Sequence, residues 1–427
     1  MTATAPPSRR IRRARSLRLG VSAVVAAVAL GLAGCGAGTS SDADGAGGGG
    51  GGGGAGGAGG ASGASSPSPS ADGTGGPTSI SANVTRAKPV PVDTTVKVTG
   101  TGGQLHDVTL TSKAGDAIEG TLAGDGSTWR AGSLLEPNTT YVLKASMSSS
   151  GGDTSWKRRF HTQQLALSQQ TYASVSPLNG QKVGVGFPVI VHFDVPVTDR
   201  ASIEKHLSVQ AQPAQKGSWH WFSDTEVHWR PQHYWQAGST VTVHADINSV
   251  PAGNGIYGQS DRDVTFKVGA KHVYRVNMKT DQMKVYSNDK LLRTIPVTTG
   301  QPGFITRSGI KVIVQKYEKH TMNSETIGIP KGDPNYYNMK DVQWAMRMTY
   351  SGEFIHAAPW SVSSQGRENV SHGCTGMSTA NADWLYHLTR VGDVVNEFGT
   401  SRKMEVTNGY GDWNMSFKDY KAGSALA

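Results

Sequence analysis

The 427-residue sequence predicts a mainly β protein of three successive β-rich units. Three observations predict it. Short alternating runs such as Val96-Lys97-Val98, Asp107-Val108-Thr109-Leu110, Val189-Ile190-Val191-His192-Phe193 and Val241-Thr242-Val243 recur between Gly, Asn, Pro and Asp turns. Alternation with a period of two marks half-buried strands. WRAGSLLEPNTTYVLKA from Trp129 aligns without gaps on WRPQHYWQAGSTVTVHA from Trp229, with Trp, Arg, Thr and Ala identical. A repeat of 100 residues, each copy ending in a β-rich run, is the size of an immunoglobulin-like sandwich. Helical periodicity, finally, is scarce in the last third of the chain.

Taken in order, residues 1–34 carry six arginines and no acid, followed by the apolar run Leu19 to Leu32. That run is shorter than the ~20 residues of a spanning helix and ends in small residues, the pattern of an export signal. It closes on Leu32-Ala33-Gly34-Cys35, which resembles a bacterial lipobox and makes Cys35 the expected lipidation site. An ordinary signal with a chance cysteine is the alternative. Residues 36–77 are nearly all Gly, Ala, Ser, Thr, Asp and Pro, a tether with a typical span of about 35 Å. Two immunoglobulin-like β-sandwich domains follow at 78–167 and 168–270. The second carries Trp219, Trp221, Trp229 and Trp235, expected in core and interdomain packing.

The third unit spans 271–398 and opens with an antiparallel meander turning at Ser287-Asn288-Asp289. Its best helix candidate runs from Asn381 to Val391, with Trp384, Leu388 and Val391 on one face, Ser378 or Asn381 as cap, and Arg390 and Gly392 at its end. In residues 399–427, Trp413, Phe417 and Tyr420 are spaced as a clasp expected to pack on this third domain.

The formal charge of +9 falls to +3 without the six leader arginines, and no basic stripe interleaves with aromatics. A nucleic-acid partner thereby loses its support. The expected place is extracytoplasmic, anchored by lipid to the outer leaflet of the cell membrane and facing the wall. With Cys35 in the anchor, Cys374 in SHGCTGMS has no intrachain disulfide partner.

A cysteine acts as a nucleophile through its thiolate, only ~3% populated at pH 7 at an ordinary pKa. It needs a base or a positive neighbour. His356 lies eighteen residues before Cys374, a span suiting two strands joined by an open loop, and His372 lies two before it. Gly373 and Gly376 flank the sulfur and permit a tight turn whose N–H groups face a developing oxyanion. Zinc could use His356, His372, Cys374 and His387, but no CxxC or HExxH spacing occurs. A sortase-like site would place the cysteine in a TLxTC-type strand, which is absent. A silent, buried thiol in a binding module stays open from these residues alone.

IHAAPWSVSSQGRENVSHGC, with His356, Trp360 and Cys374, resembles the signature of the L,D-transpeptidase catalytic domain. The resemblance extends through both sandwiches and the C-terminal GDWNMSFKDYKAG, as in lipid-anchored, tandem-immunoglobulin members. It implies cysteine acyl transfer on peptidoglycan stem tetrapeptides: a thioester, release of D-alanine, and resolution by an acceptor amine to a 3→3 cross-link. An L,D-carboxypeptidase or a catalytically silent wall-binding lipoprotein are the alternatives. By the same resemblance Cys374 is the nucleophile, His356 the base oriented by the carbonyl of Ala357, and backbone N–H groups around His372, Gly373 and Cys374 the oxyanion hole. Tyr337, rather than Tyr336, matches the lid-side oxyanion donor. Met322, Trp360, Ser371 and Gly376 fall at substrate positions, with core packing the alternative for Met322 and Trp360. Gly376 departs from the asparagine frequent in the family. No cofactor or metal is implied, and carbapenem β-lactams are the implied covalent inhibitors.

Overall fold

The 100-residue repeat corresponds to one packing device used twice. In a computed structural model, which describes residues 77–427, Trp129 lies in the strand Thr128–Ala131 and Trp229 in the strand Glu226–Pro231. Each is buried against a glycine on the adjoining antiparallel strand. A Cβ at Gly120 would stand 2.1 Å from the Trp129 ring, and one at Gly217 would stand 2.2 Å from the Trp229 ring. Only glycine lets a neighbouring strand approach an indole so closely. The predicted leader, Cys35 and most of the tether lie outside the described residues.

The first sandwich pairs a sheet ordered Ser79–Ala82, Lys97–Thr101, Thr128–Ala131, Gly120–Leu122 with one centred on Thr140–Ser149. Val98, Leu110, Trp129, Leu143 and Phe160 fill the space between. The second packs Ala173–Ser176, Val189–Phe193, Glu226–Pro231 and Gly217–Trp221 against Lys182–Val183, Arg262–Val268, Thr240–Ala245 and Leu207–Gln212. Trp219, Trp221, Trp229 and Trp235 all lie in its core, as the sequence predicts.

The third unit has two sheets. One is ordered Lys290–Pro296, Gln282–Ser287, His272–Asn277, Val394–Phe398, Gly309–Val312, and the other Gln315–Asn323, Asn338–Arg347, Phe354–Ala357, Thr375–Met377. The meander turns through Asn288 and Asp289 at φ 47° and 63°, a left-handed pair that twists with the strands it joins. Tyr274, Met283, Ile295, Ile355, Met377 and Leu385 meet between the sheets.

The helix forms at Thr379–Leu388, capped by the Ser378 hydroxyl, which accepts from the Asn381 N–H. Its fully buried residues are Ala382 and Leu385, while the predicted Trp384 and Leu388 pack against the same core only in part and Val391 lies beyond the helix. The reason is local. Arg293 lies 4.0 Å over the Trp384 ring, which packs on the core only in part, while the chain is already extended at Thr389 and leaves Val391 outside the helix.

The clasp also differs from expectation. Residues 400–408 stay on the third unit, where the Met404 N–H bonds to the Ser308 carbonyl. Beyond them the chain crosses to the second sandwich. Arg230 lies over the rings of Trp413, Phe417 and Tyr420, and the Trp413 indole donates to the Gly186 carbonyl at 2.7 Å. A guanidinium can face three aromatic rings at once, and the second sandwich supplies the one positioned to do so.

At the centre of that junction, buried His228 bonds Asp412 at 2.9 Å and Glu226 at 3.1 Å, and the Tyr420 hydroxyl donates to Asp412 at 2.9 Å. Burial alone would lower the His228 pKa, but the Asp412 and Glu226 carboxylates outweigh it and raise it to about 9. A raised histidine pKa stabilises fully below its ordinary value of 6.5 and ceases to do so as pH rises through about 9. The C-terminal segment is therefore expected to loosen between neutral pH and pH ~9.5. Hydrogen exchange of residues 410–427 measured across that range checks this, and Asp412→Asn is expected to flatten the dependence.

Candidate active site

Phe354–Ala357 is buried at every position and runs parallel to Thr375–Met377, with His356 opposite Gly376. Residues opposite one another in adjacent strands share a face, and residues two apart along a strand share it too. Cys374, two before Gly376, is thus carried onto the His356 side of the sheet.

The His356 ring donates from Nδ1 to the Ala357 carbonyl at 2.8 Å, since a carbonyl can only accept. That bond places the remaining proton and leaves Nε2 with a lone pair. Burial lowers the His356 pKa, and the Ala357 hydrogen bond opposes it only in part, so the ring is neutral at pH 7. Trp360 stacks on this imidazole at 5.8 Å and is 54% exposed, which makes it a surface residue beside the site rather than core.

Cys374 is half-buried, and among the described residues its thiol donates to the Gly352 carbonyl at 3.5 Å rather than to the imidazole. Burial pushes its pKa up to about 12, a Phe354 backbone hydrogen bond opposes this, and Glu353 and Glu397 add to it against Lys311. The resting pair is therefore a neutral thiol and a neutral imidazole.

The loop before the cysteine is held by Ser371, whose hydroxyl donates to the Cys374 carbonyl at 2.7 Å and accepts from the Gly373 N–H at 3.1 Å. Gly373 has φ +122°, and its carbonyl accepts from Thr306 at 2.8 Å. This alters the predicted oxyanion turn, because the Gly373 N–H is already engaged by Ser371. The value of glycine there is its backbone conformation.

Met322 is buried with Val342, Ala345 and Phe354, and Tyr337 and Cys374 pack against that cluster. Met322 is therefore a core residue, in the cluster that Cys374 packs against. Burial first, then the nearby Cys374, pushes the Tyr337 pKa up to about 12, so its hydroxyl stays a neutral donor. Ser324 anchors it, accepting from the Tyr337 N–H at 3.1 Å and donating its own N–H to the Tyr337 carbonyl at 2.9 Å. The His372 ring sits 4.6 Å from Phe304 and 5.0 Å from Tyr337, with Nε2 buried and unpartnered. Burial lowers its pKa. A cavity of about 270 Å³ opens beside it, lined by Phe304, Arg307, Ile327, Gly352, Glu353 and His372 among others.

Gly376 packs against Ala358 and Thr298: a Cβ there would lie 2.9 Å from the Ala358 Cβ and 3.2 Å from the Thr298 methyl. Sequence reasoning missed the charged side chains behind the cysteine, Lys311, Glu353 and Glu397. The available signal was Lys311 inside the otherwise apolar run Ile310-Lys311-Val312-Ile313-Val314.

A family model of the bacterial Ig domain matches residues 87–251, and one of the L,D-transpeptidase catalytic domain matches residues 271–396. The chain is 35% identical over 350 residues to L,D-transpeptidase 2 of Mycobacterium tuberculosis, spanning 82% of this chain and 85% of that protein. It is 31% identical over 359 residues to L,D-transpeptidase 5 of the same species, spanning 82% of this chain and 76% of that one. A solved structure of the LD transpeptidase LdtMt1 in complex with imipenem is 33% identical, covering 54% of this chain and 99% of that one, with a TM-score of 0.47.

The contacts at Gly376 carry a prediction. Gly376→Asn is expected to cost about 1–3 kcal/mol of stability by overpacking against Ala358. Ala358→Gly in the same chain is expected to restore most of it, as thermal unfolding would show.

Proposed function

The chain belongs to the L,D-transpeptidase family, and from that premise we infer that Cys374 is its acyl-transfer nucleophile, with His356 as base, on peptidoglycan stem tetrapeptides. The single observation that supports this most is the His356 to Gly376 register, together with the Nδ1 bond to Ala357. They put an unprotonated Nε2 and a thiol on one face of one sheet.

Chemically, the sulfur attacks the carbonyl between the third and fourth stem residues while its proton passes to His356 Nε2. The oxyanion is stabilised by the Tyr337 hydroxyl and by backbone N–H groups of the cysteine turn other than that of Gly373, which Ser371 engages. Collapse of the intermediate breaks the peptide bond, and the imidazolium returns its proton to the departing D-alanine amine. The neutral imidazole then takes a proton from the acceptor amine as it attacks the thioester. The amide forms, the thiolate leaves, and His356 reprotonates it. Because thiol and imidazole both begin neutral, proton transfer accompanies carbon–sulfur bond formation instead of preceding it.

Met322 and Trp360 fit the walls of the stem site, and Ser371 fits the support of the turn. The arginine-rich leader, the lipobox at Cys35 and the glycine-rich tether favour a lipid-anchored enzyme on the outer face of the cell membrane, working within the wall. The same thiol chemistry suits carbapenems, whose strained ring carbonyl would leave an acyl adduct on Cys374.

Two expectations test this reading. Incubation with a disaccharide tetrapeptide should release D-alanine and yield cross-linked dimer, with both products and any carbapenem mass adduct absent in Cys374→Ala. Intact protein showing neither product nor adduct would overturn the assignment. Carbapenem acylation should also be level above pH ~6.5 and fall only at lower pH, because burial holds the His356 pKa below its ordinary value and the base works when neutral. Stopped-flow acylation rates from pH 4.5 to 8.5 read this directly.

A further inference from the structure

Behind the nucleophile lies a charged cluster that the acyl-transfer steps do not use. Lys311 is completely buried and donates to Glu353 at 2.5 Å and to Glu397. The other oxygen of Glu397 accepts from the Thr375 hydroxyl at 2.6 Å. The other oxygen of Glu353 accepts from the Arg307 side chain at 3.0 Å and from the Arg307 N–H at 3.1 Å. Arg307 in turn donates to Glu405 at 2.5 Å.

We propose that the Lys311, Glu353 and Glu397 cluster is a positioning device for Cys374, holding the backbone on both sides of the sulfur and setting the field in which it gives up its proton. The inference rests on the reading of Cys374 as the nucleophile. Its basis is adjacency. Glu353 stands between Gly352, whose carbonyl accepts the thiol, and Phe354, whose backbone hydrogen bond reaches the sulfur. Glu397 grips Thr375, the residue next to the cysteine. Glu353 is thus anchored between two contacts of the sulfur, Glu397 holds the residue after the cysteine, and Lys311 ties the two carboxylates together.

Stability alone is a poor explanation for such a cluster. Removing three charges from water is costly, and apolar side chains of similar volume commonly serve as well or better. Buried charge beside a reactive group is instead a frequent sign of function. Burial is the main cause of the raised thiol pKa, and beyond it each of the two carboxylates disfavours a thiolate more than Lys311 favours one. His356, His372 and Tyr337, the other titratable groups around the sulfur, are neutral in the resting site, so the local charge comes from the cluster together with Arg307, which pairs with Glu353. The cysteine is held as a protonated, unreactive thiol until substrate brings the carbonyl and the base together.

The test needs no peptidoglycan substrate. The full chain carrying Cys35→Ala, so that Cys374 is its one thiol, is labelled with iodoacetamide at pH 8 and followed by intact mass, which reads the thiolate fraction at Cys374. Glu397→Gln keeps the shape of the side chain and is expected to raise the labelling rate roughly tenfold, the effect of about one pKa unit. Glu353→Gln is expected to act in the same direction, and Lys311→Met in the opposite one, with Lys311→Arg near the unaltered chain. Shifts of opposite sign cannot come from loosening, which speeds labelling in every variant. Acceleration by both Glu397→Gln and Lys311→Met, or no change with Glu397→Gln, overturns the proposal. Should Lys311→Met fail to fold, Lys311→Gln takes its place with the same expected direction. Failure here leaves tetrapeptide turnover untouched, whereas failure of the transpeptidase reading abolishes turnover and leaves the labelling result standing.

Discussion

The site depends on one backbone pairing, the parallel alignment of Phe354–Ala357 with Thr375–Met377. Parallel neighbours cannot be joined by a tight turn and need a crossover of a dozen or more residues. The chain between Ala357 and Thr375 is that crossover, and its first turn, Pro359–Ser361, sets Trp360 over the imidazole. On the other flank, Gly376 exchanges both backbone hydrogen bonds with Thr298, at 2.9 and 3.0 Å. The cysteine strand is therefore held from both sides. A one-residue slip would send His356 and Cys374 to opposite faces of the sheet.

Electrostatics then decide how the pair can work. A thiolate and imidazolium pair would be poised to react with any electrophile, but it requires an environment that rewards charge. Here the sulfur adjoins Met322, Val342 and Phe354 and receives the field of two carboxylates, while the imidazole is buried and spends Nδ1 on a carbonyl. Both effects favour the uncharged forms. Reactivity is thereby deferred to the moment when a carbonyl is seated and water is displaced.

Much of this was legible in the sequence for identifiable reasons. Strand alternation and turn residues are local signals, and the Trp129 and Trp229 repeat survives because each indole needs the same glycine opposite it. Cys374 and His356 were legible through the contiguous stretch IHAAPWSVSSQGRENVSHGC, since a lone thiol by itself equally suits a silent, buried side chain. What escaped notice depends on long-range partners. The Gly373 N–H looked available until Ser371 was found holding it. The clasp aromatics looked suited to the third unit, but only the second sandwich offers Arg230. Lys311, an anomaly in an apolar run, becomes intelligible only when Glu353 and Glu397, distant in sequence, arrive at its ammonium.

The second sandwich bears on the site through that same clasp. Gly309–Val312 is an edge strand, and an uncovered edge presents unpaired N–H and C=O groups. Asn414 covers it, its side chain accepting from the Ile310 N–H at 2.8 Å and donating to the Ile310 carbonyl at 2.7 Å. Two residues earlier in the chain, Asp412 is locked to His228 of the sandwich. The next residue along the edge strand is Lys311, which holds Glu353 and Glu397 and through them the two flanks of Cys374. A continuous run of hydrogen bonds and covalent neighbours thus leads from the buried His228–Asp412 pair of the sandwich, through the exposed Asn414–Ile310 bonds, to the surroundings of Cys374. The sandwich thus serves the third unit as a structural abutment for the edge strand that carries Lys311, in addition to any spacing it provides.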